Sequence, residues 1–223
     1  MRELQPIKQK DREPLLNPVD RVSEMLFGLF MALTFVGVVS MATSARDEIR
    51  TMLHAALGCN LAWGIVDAVM YLVRTITERG RSLTLIRSVQ AARDAEGGRK
   101  LVESALSPGM AKLVSTTEVE AIRVRVVALT NLPARPQLQR DDFLAALGVF
   151  LIVVASTFPV ALPFVFLEDA ATALFVSRAI AVTMLFLGGL ALGRYAGYGS
   201  WKTGVMMAGL GLAVVAAVIA LGG

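Results

Sequence analysis

Asp67 is the residue whose type and position most suggest chemistry. It lies within the apolar segment 52–74, MLHAALGCNLAWGIVDAVMYLVR, which as a helix of 23 residues would be about 34 Å long. That length is enough to cross a bilayer core of about 30 Å. A carboxylate at this depth costs about 3 kcal/mol or more. We therefore predict that Asp67 binds a divalent cation or carries a proton, and the alternative is a protonated or hydrogen-bonded contact between helices.

A polar face accompanies this acid along the same segment. Asn60, Gly64, Asp67 and Tyr71 follow one another at i, i+4, i+7 and i+11, which places them on one side of a helix. We predict that this face is turned toward other helices or a wet cavity, and that the rest of the surface contacts lipid. Asn60 could supply a carbonyl ligand to a metal ion. Its alternative role is an ordinary interhelical hydrogen bond.

Two more residues are candidates for a metal site. Glu24 lies near the start of the first apolar segment, where it could be an entry acid or simply a solvated carboxylate at a helix start. Met70 could offer a thioether, as could Met31 and Met41, although methionines in an apolar chain are commonly packing residues. Carboxylate oxygens suit Fe²⁺, Mn²⁺ and Mg²⁺ alike. The expected substrate is therefore a divalent cation.

Two other polar residues lie in or beside apolar segments. Arg178 is about two turns inside the fourth segment, and we predict that it extends outward to Glu168 or Asp169. His54 is the single histidine, and it has no Cys or His partner at ligand spacing. We interpret it as an interfacial residue.

Enzyme chemistry is not indicated. The sequence has no Ser/His/Asp set and no HExxH motif, and GLGL at 209–212 has no preceding strand that would make it a dinucleotide loop. We predict that the protein is not an enzyme and has no resident cofactor.

Five apolar segments must position these residues. The 223-residue chain is 55% hydrophobic with a mean hydropathy of +0.62, and the segments at 22–44, 52–74, 143–166, 171–193 and 201–222 are each long enough to span a bilayer. The predicted fold is all-α: a polytopic membrane protein with five transmembrane helices and a helical cytosolic insert between spans 2 and 3. The lipid bilayer is the first expected partner.

The charges predict the orientation of the chain. We divide it into a basic cytosolic tail (1–21), spans 1 and 2 (22–74), a cytosolic helical insert (75–142) and spans 3 to 5 (143–223). Nineteen of the 22 Lys and Arg residues then lie on one side, which indicates a cytosolic N-terminus and an external C-terminus. Because this topology accounts for the net charge of +4, nucleic acid is not an expected partner. The expected location is a bacterial inner (cell) membrane.

The insert shows helical periodicity of its own. Apolar residues recur at helical spacing over 83–89 and 119–129. Gly97-Gly98 and Ser107-Pro108-Gly109 are predicted breaks, residues 115–117 a helix cap, and residues 131–133 a helix end. We expect two or three amphipathic helices in a small bundle, which packs across a homodimer or against the ends of the spans.

Several of these features together resemble the vacuolar iron transporter family. The stretch 23–28 (SEMLFG) is similar to the start of that family's first span, 158–164 (FPVALPF) to its proline-containing third span, and Gly193-Arg194 with 201–223 to its last two spans. The resemblance covers most of the apolar part of the chain. It implies a homodimeric transporter of iron or manganese that exchanges metal for protons.

Two departures from the family pattern keep a second hypothesis open. Met31-Ala32 stand where the family usually has an Asp-Gly pair, and the insert has no repeated Glu-x-x-Glu spacing. The alternative is a structural or regulatory membrane protein that keeps the family fold without transport. In that case the amphipathic insert would be a docking platform for a partner.

Overall fold

The structure is all-helical, as predicted. The computed structural model describes residues 16, 18–39, 46–197 and 199–220, and these contain helices and no strand. In chain order the helices are α1 (Pro18–Val39), α2 (Arg46–Gln90), α3 (Ala95–Ala105), α4 (Pro108–Ala111), α5 (Thr116–Val127), α6 (Arg140–Ala161), α7 (Pro163–Phe166), α8 (Ala170–Ala196) and α9 (Ser200–Ala220). Most of the predicted tail, together with Met41, lies outside the described residues.

Within the described part of the chain, four helical segments are long and apolar enough to cross a membrane. They are Leu57–Gln90, Arg140–Ala161, Ala170–Tyr195 and Ser200–Ala220. They coincide in part with predicted spans 2 to 5. The first predicted span overlaps α1, which is not among the four, so a five-span topology stays a prediction. Predicted span 2 and the apolar repeat at 83–89 belong to one continuous helix, α2.

The chain divides into two compact units. The first unit comprises Met1–Val69 and Phe143–Gly223, and the second comprises Met70–Asp142. In the first unit, α1 packs against α8 and α9, and Leu29, Leu33 and Leu185 are fully buried between these helices.

Small residues let α8 and α9 approach closely. A Cβ added at Gly189 would lie 2.7 Å from the backbone oxygen of Thr203 and 2.8 Å from the Cα of Gly204. A side chain at Gly189 would therefore push the two backbones apart. The prediction that small residues in spans 4 and 5 allow close contact is confirmed at Gly204 and Gly211, while Gly209 faces open space.

Two prolines shape the end of predicted span 3. Pro159 lies inside α6, and Pro163 begins the short helix α7 after α6 has ended at Ala161. The hydroxyl of Ser177 on α8 donates a hydrogen bond to the backbone oxygen of Val160 at 2.6 Å. This bond ties α8 to the proline-containing end of α6.

The second unit has a small core of its own. Val89 near the end of α2, Val102 on α3 and Val119 on α5 are buried together. Gln90 donates hydrogen bonds to the backbone oxygens of Val126 at 3.1 Å and Leu129 at 2.8 Å, which fastens the end of α5 to the end of α2.

The helix boundaries of this unit correct two predictions. Gly97 and Gly98 do not interrupt a helix, because both lie in the first turn of α3, whose N-cap is Asp94. Gly98 instead makes room for the side chain of Arg123, whose Cδ would lie 2.8 Å from a Cβ at that position. The last helix, α5, ends at Val127, before the predicted stop at 131–133. The predicted cap at Ser115 is confirmed and forms a full capping box with Glu118.

Candidate functional site

Asn60 makes an interhelical contact, which is the alternative that the sequence left open for it. Its side chain is 7% exposed, and its Nδ2 group donates hydrogen bonds to the hydroxyl of Thr157 and, at 3.4 Å, to the backbone oxygen of Val154. Both acceptors belong to α6. The polar face of α2 is therefore turned toward another helix at this point, as predicted.

Gly64 continues this contact one turn along α2. A Cβ at Gly64 would lie 2.9 Å from the ring of Phe150 and 3.1 Å from Val154. The absence of a side chain thus lets α2 lie close against α6, in the way that small residues generally bring helices together in lipid. Asn60 and Gly64 together form the α2–α6 seam.

Asp67 lies on the same side of α2, about two turns further along. Its side chain is partly buried and its Oδ2 atom is buried. Seven residues of helix separate Asp67 from Asn60, a rise of about 10.5 Å. Asn60 is held by α6. A metal site shared by Asn60 and Asp67 stays a prediction.

The other predicted ligands lie on α1 and α2. Glu24 is partly buried on α1, and Met31, on the same helix, lines a cavity described below. Met70 belongs to the second unit and is 52% exposed. Among the described residues, no three His, Cys, Asp or Glu side chains are grouped in a way that could hold a metal ion.

Arg178 is partly buried on α8. Its Nε and Nη2 atoms are buried and have no hydrogen-bond partner among the described residues. Asp169 is the N-cap of α8 and accepts a hydrogen bond from the backbone N–H of Thr172 at 2.8 Å. The pairing of Arg178 with Glu168 or Asp169 stays a prediction.

A cavity lies next to the α2–α6 seam. The sequence predicted other helices or a wet cavity beside this face of α2, but it did not indicate that the cavity would be largely apolar. The cavity has a volume of about 470 Å³ and lies between α1, α2, α6 and α7. Aromatic and aliphatic side chains form most of its wall, with Asn60, Thr157 and Cys59 among the few polar groups. Phe27 and Trp63, both lining residues, form an edge-to-face pair with ring centroids 6.4 Å apart. In the sequence, the only hint of this site is a polar residue in each of two apolar segments, Asn60 and Thr157. The sequence does not indicate that these two residues are in contact.

An ion pair in the second unit was also missed. Arg79 donates two hydrogen bonds to Asp142, from Nη1 to Oδ2 at 2.6 Å and from Nη2 to Oδ1 at 2.7 Å. The backbone N–H of Gln139 also donates to Oδ2 at 2.6 Å, and Arg79 reaches the backbone oxygen of Gln137 at 2.7 Å. Asp142 is 6% exposed, so this is a buried carboxylate that accepts three hydrogen bonds. It connects α2 to the first turn of α6.

Charged side chains outside the spans stabilise helix ends and turns. Hydrogen bonds from the backbone N–H and the hydroxyl of Ser115 hold the pKa of Glu118 below its usual range. A hydrogen bond from Arg123 does the same for the pKa of Glu120. These shifts belong to local helix contacts and do not mark a catalytic acid.

Comparisons with known proteins add no family to this description. No protein-family model matches the chain, and no curated protein matches it.

Proposed function

We propose that the protein is an integral membrane transporter of divalent cations, iron or manganese, which it exchanges for protons. The observation that carries this proposal is Asp67, a carboxylate with a buried oxygen on a helix that is long and apolar enough to span a membrane. Ionisable residues at such positions commonly mark ion pathways or proton relays. The resemblance to the vacuolar iron transporter family supports the same function.

The proposal includes five spans and a two-fold homodimer. The α1 segment serves as the fifth span, with the N-terminus in the cytosol and the C-terminus outside, in a bacterial inner membrane. Within one chain, Asn60 is engaged with α6. A two-fold axis would supply a second copy of every candidate ligand. Glu24 is then assigned to the cytosolic end of the path, and Met70, three residues after Asp67, to its wall.

Flux measurements on Asp67→Asn test this function directly. The amide keeps the size of the side chain and one carbonyl oxygen but cannot ionise. In proteoliposomes containing a metal-sensitive dye and a pH dye, we expect wild-type protein to couple Mn²⁺ or Fe²⁺ entry to proton flux. We expect Asp67→Asn to abolish both signals. Asp67→Glu should retain partial flux at best, because one methylene displaces the carboxylate in a packed interface.

Asp141→Asn is the matched control, since it makes the same chemical change at an exposed position in the first turn of α6. It should transport like wild type, and size-exclusion chromatography should show all three variants eluting alike. Wild-type flux from a well-folded Asp67→Asn protein would contradict the role of this residue. Absence of flux from the wild-type protein with every divalent metal would contradict transport altogether.

Exposed apolar residues of the second unit favour a different function. Met110 and Leu113, in and just after α4, are 50% and 79% exposed, and Val124 and Val127 on α5 are also exposed. Apolar side chains in that number on a small helical unit are typical of a surface that binds a partner. We therefore keep, as the second candidate, a structural or regulatory membrane protein whose second unit is a docking platform.

Substitution of Leu113 separates the two candidates. Leu113→Glu should leave metal flux unchanged if transport is the function and this surface is incidental. If docking is the function, the wild-type protein should show no flux. Leu113→Glu should then disrupt the assembly that the wild-type protein forms in native membranes. Lys112→Glu, a charge change at the adjacent residue, should disrupt that assembly less.

A further inference from the structure

The hairpin formed by α8 and α9 carries positive charge and no acidic residue. Arg194 lies in the last turn of α8 and Lys202 in the first turn of α9, and both side chains are exposed. The sequence contains no Asp or Glu between 170 and 223. Among the described residues, neither cation has a hydrogen-bond or ion-pair partner. The two charges are therefore available to an anion from outside the chain.

Arg194 shares one face of α8 with residues that contact α9. Phe186, Leu190 and Arg194 follow one another at i, i+4 and i+8, which places them on one side of the helix. The rings of Phe186 and Trp201 form an edge-to-face pair with centroids 5.1 Å apart. A Cβ at Gly204 would lie 2.9 Å from Leu190 and 3.0 Å from Phe186. Arg194 and Trp201 therefore border the same side of the hairpin.

The turn that joins the two helices is tight. Gly197 ends α8 with a φ of 74°, in the left-handed region that favours glycine, and α9 begins at Ser200. A Cβ at Gly193 would lie 2.7 Å from the Cα of Ser200, so the backbones are in contact just before the turn. Arg194 and Lys202 are thus attached to two closely packed helix ends.

Exposed aromatic residues accompany the two cations. Trp201 is 68% exposed, and Tyr195, next to Arg194, is exposed as well. Trp and Tyr are enriched where a bilayer meets water, because each has an apolar ring and a polar N–H or O–H group. A guanidinium group matches two phosphate oxygens as a fork, and an ammonium group attracts phosphate as a point charge. Cations beside such rings suit a phosphate that is attached to an apolar molecule.

We propose that this end of the α8–α9 hairpin binds an anionic phospholipid, whose phosphate accepts hydrogen bonds from Arg194 and is attracted by Lys202. The acyl chains lie along the side of the hairpin that Trp201 borders. A zwitterionic phospholipid has the same phosphate but adds a quaternary ammonium group, which the two cations repel. The proposal requires that the chain lies in a membrane, and it does not rest on metal transport.

The two tryptophans of the chain allow binding to be measured by position. Trp63→Phe leaves Trp201 as the single fluorescent indole, and Trp201→Phe leaves Trp63. Full-length protein is placed in bilayers that contain increasing fractions of brominated phosphatidylglycerol or of brominated phosphatidylcholine with the same acyl chains. Bromine quenches tryptophan fluorescence at short range. The two quenching curves therefore give the relative affinity of the two lipids beside each tryptophan.

Beside Trp201, we expect phosphatidylglycerol to bind about 25-fold more tightly than phosphatidylcholine at low ionic strength, which is about fivefold for each of two cations. Arg194→Gln and Lys202→Gln, made in Trp63→Phe, should each lower this preference about fivefold. Arg194→Lys should retain more of the preference than Arg194→Gln, because it keeps the charge. No preference is expected beside Trp63, since no residue that lines its cavity is charged.

Arg93→Gln is the matched control, because it removes the same charge from an exposed position in the second unit. It should leave the preference beside Trp201 unchanged. Equal affinities of the two lipids beside Trp201 would overturn the proposal. An equal preference beside Trp63, or an equal loss in Arg93→Gln, would also overturn it, because the lipid would then respond to the charge of the whole chain. Loss of the preference on adding millimolar glycerol phosphate would show that a soluble phosphate occupies the site, with the same consequence.

Discussion

Each unit of this chain is stabilised internally by a different kind of contact. In the first unit, glycines place α8 against α9 and α2 against α6, and the interhelical hydrogen bonds among the described residues include Asn60 to Thr157 and Ser177 to Val160. In the second unit, a core of three valines is surrounded by caps and ion pairs, including Ser115 with Glu118 and Arg79 with Asp142.

This difference follows from what each kind of contact can contribute. Helices in lipid gain no hydrophobic free energy by burying apolar side chains against one another, so van der Waals packing, close backbone approach and hydrogen bonds hold them together. The second unit uses valine burial, helix caps and charge pairs, which are the devices of proteins in water. We therefore expect substitutions of equal size to have very different effects in the two units.

The largest expected effect is that of a bulky side chain in the first unit. Gly189→Leu places a Cβ against the backbone of α9, which cannot rotate away as a side chain can, and we expect a loss of about 3 kcal/mol or more, or no folded protein. Thermal unfolding in detergent, followed by size exclusion, measures this. Gly209→Leu is the control because a Cβ there meets nothing within 4 Å. Equal melting temperatures for the two variants would contradict close packing of α8 and α9.

The next largest effect belongs to the ion pair of the second unit. Arg79→Ala leaves the buried Asp142 without its cation and should cost about 1–3 kcal/mol. Arg81→Ala removes the same charge from an exposed position and should be nearly neutral. Hydrogen exchange of amides in 132–142 compares the two proteins. Similar exchange in both variants would mean that the Arg79–Asp142 ion pair adds no more to stability than an ordinary surface charge.

A smaller effect is expected for the polar contact of the first unit. Thr157→Val removes the acceptor of Asn60 and should cost about 1 kcal/mol, since interhelical hydrogen bonds in membrane proteins contribute about 0.6–1.7 kcal/mol. Thr183→Val is the control, because the hydroxyl of Thr183 is exposed and bonds only to the backbone of its own helix. The melting temperatures of the two variants in nanodiscs measure this difference. A larger fall in melting temperature for Thr183→Val would contradict a stabilising role for the Asn60–Thr157 hydrogen bond.

The smallest effect concerns pH and the cap of α5. The hydrogen bonds from Ser115 lower the pKa of Glu118 from its usual 4.5, so the ionised form stabilises the folded helix above that pH. The contribution is lost as the pH falls through the lowered pKa. Glu118→Gln should therefore speed hydrogen exchange at the start of α5 at pH 7. The difference in exchange rate between Glu118→Gln and wild type should shrink as the pH is taken below 4.5. A difference that grows with acidity would contradict a stabilising role for the ionised form of Glu118.

Some features of the fold could be predicted because they depend on local sequence. The all-α class and the apolar helices follow from continuous hydrophobic runs, and the cap at Ser115 follows from a Glu three residues later. The contact face of α2 followed from the spacing of Asn60 and Gly64. In each case the physical cause lies within a few turns of one helix.

Other features depend on residues that are far apart in the chain. Thr157, the partner of Asn60, is 97 residues away, and Asp142 is 63 residues from Arg79. Gly98 is compatible with a helix because Asp94 caps it and Arg123 packs over it. The cavity exists only where α1, α2, α6 and α7 meet. Periodicity reveals which face of a helix is buried, but the identity of the helix that covers it is settled by packing in three dimensions.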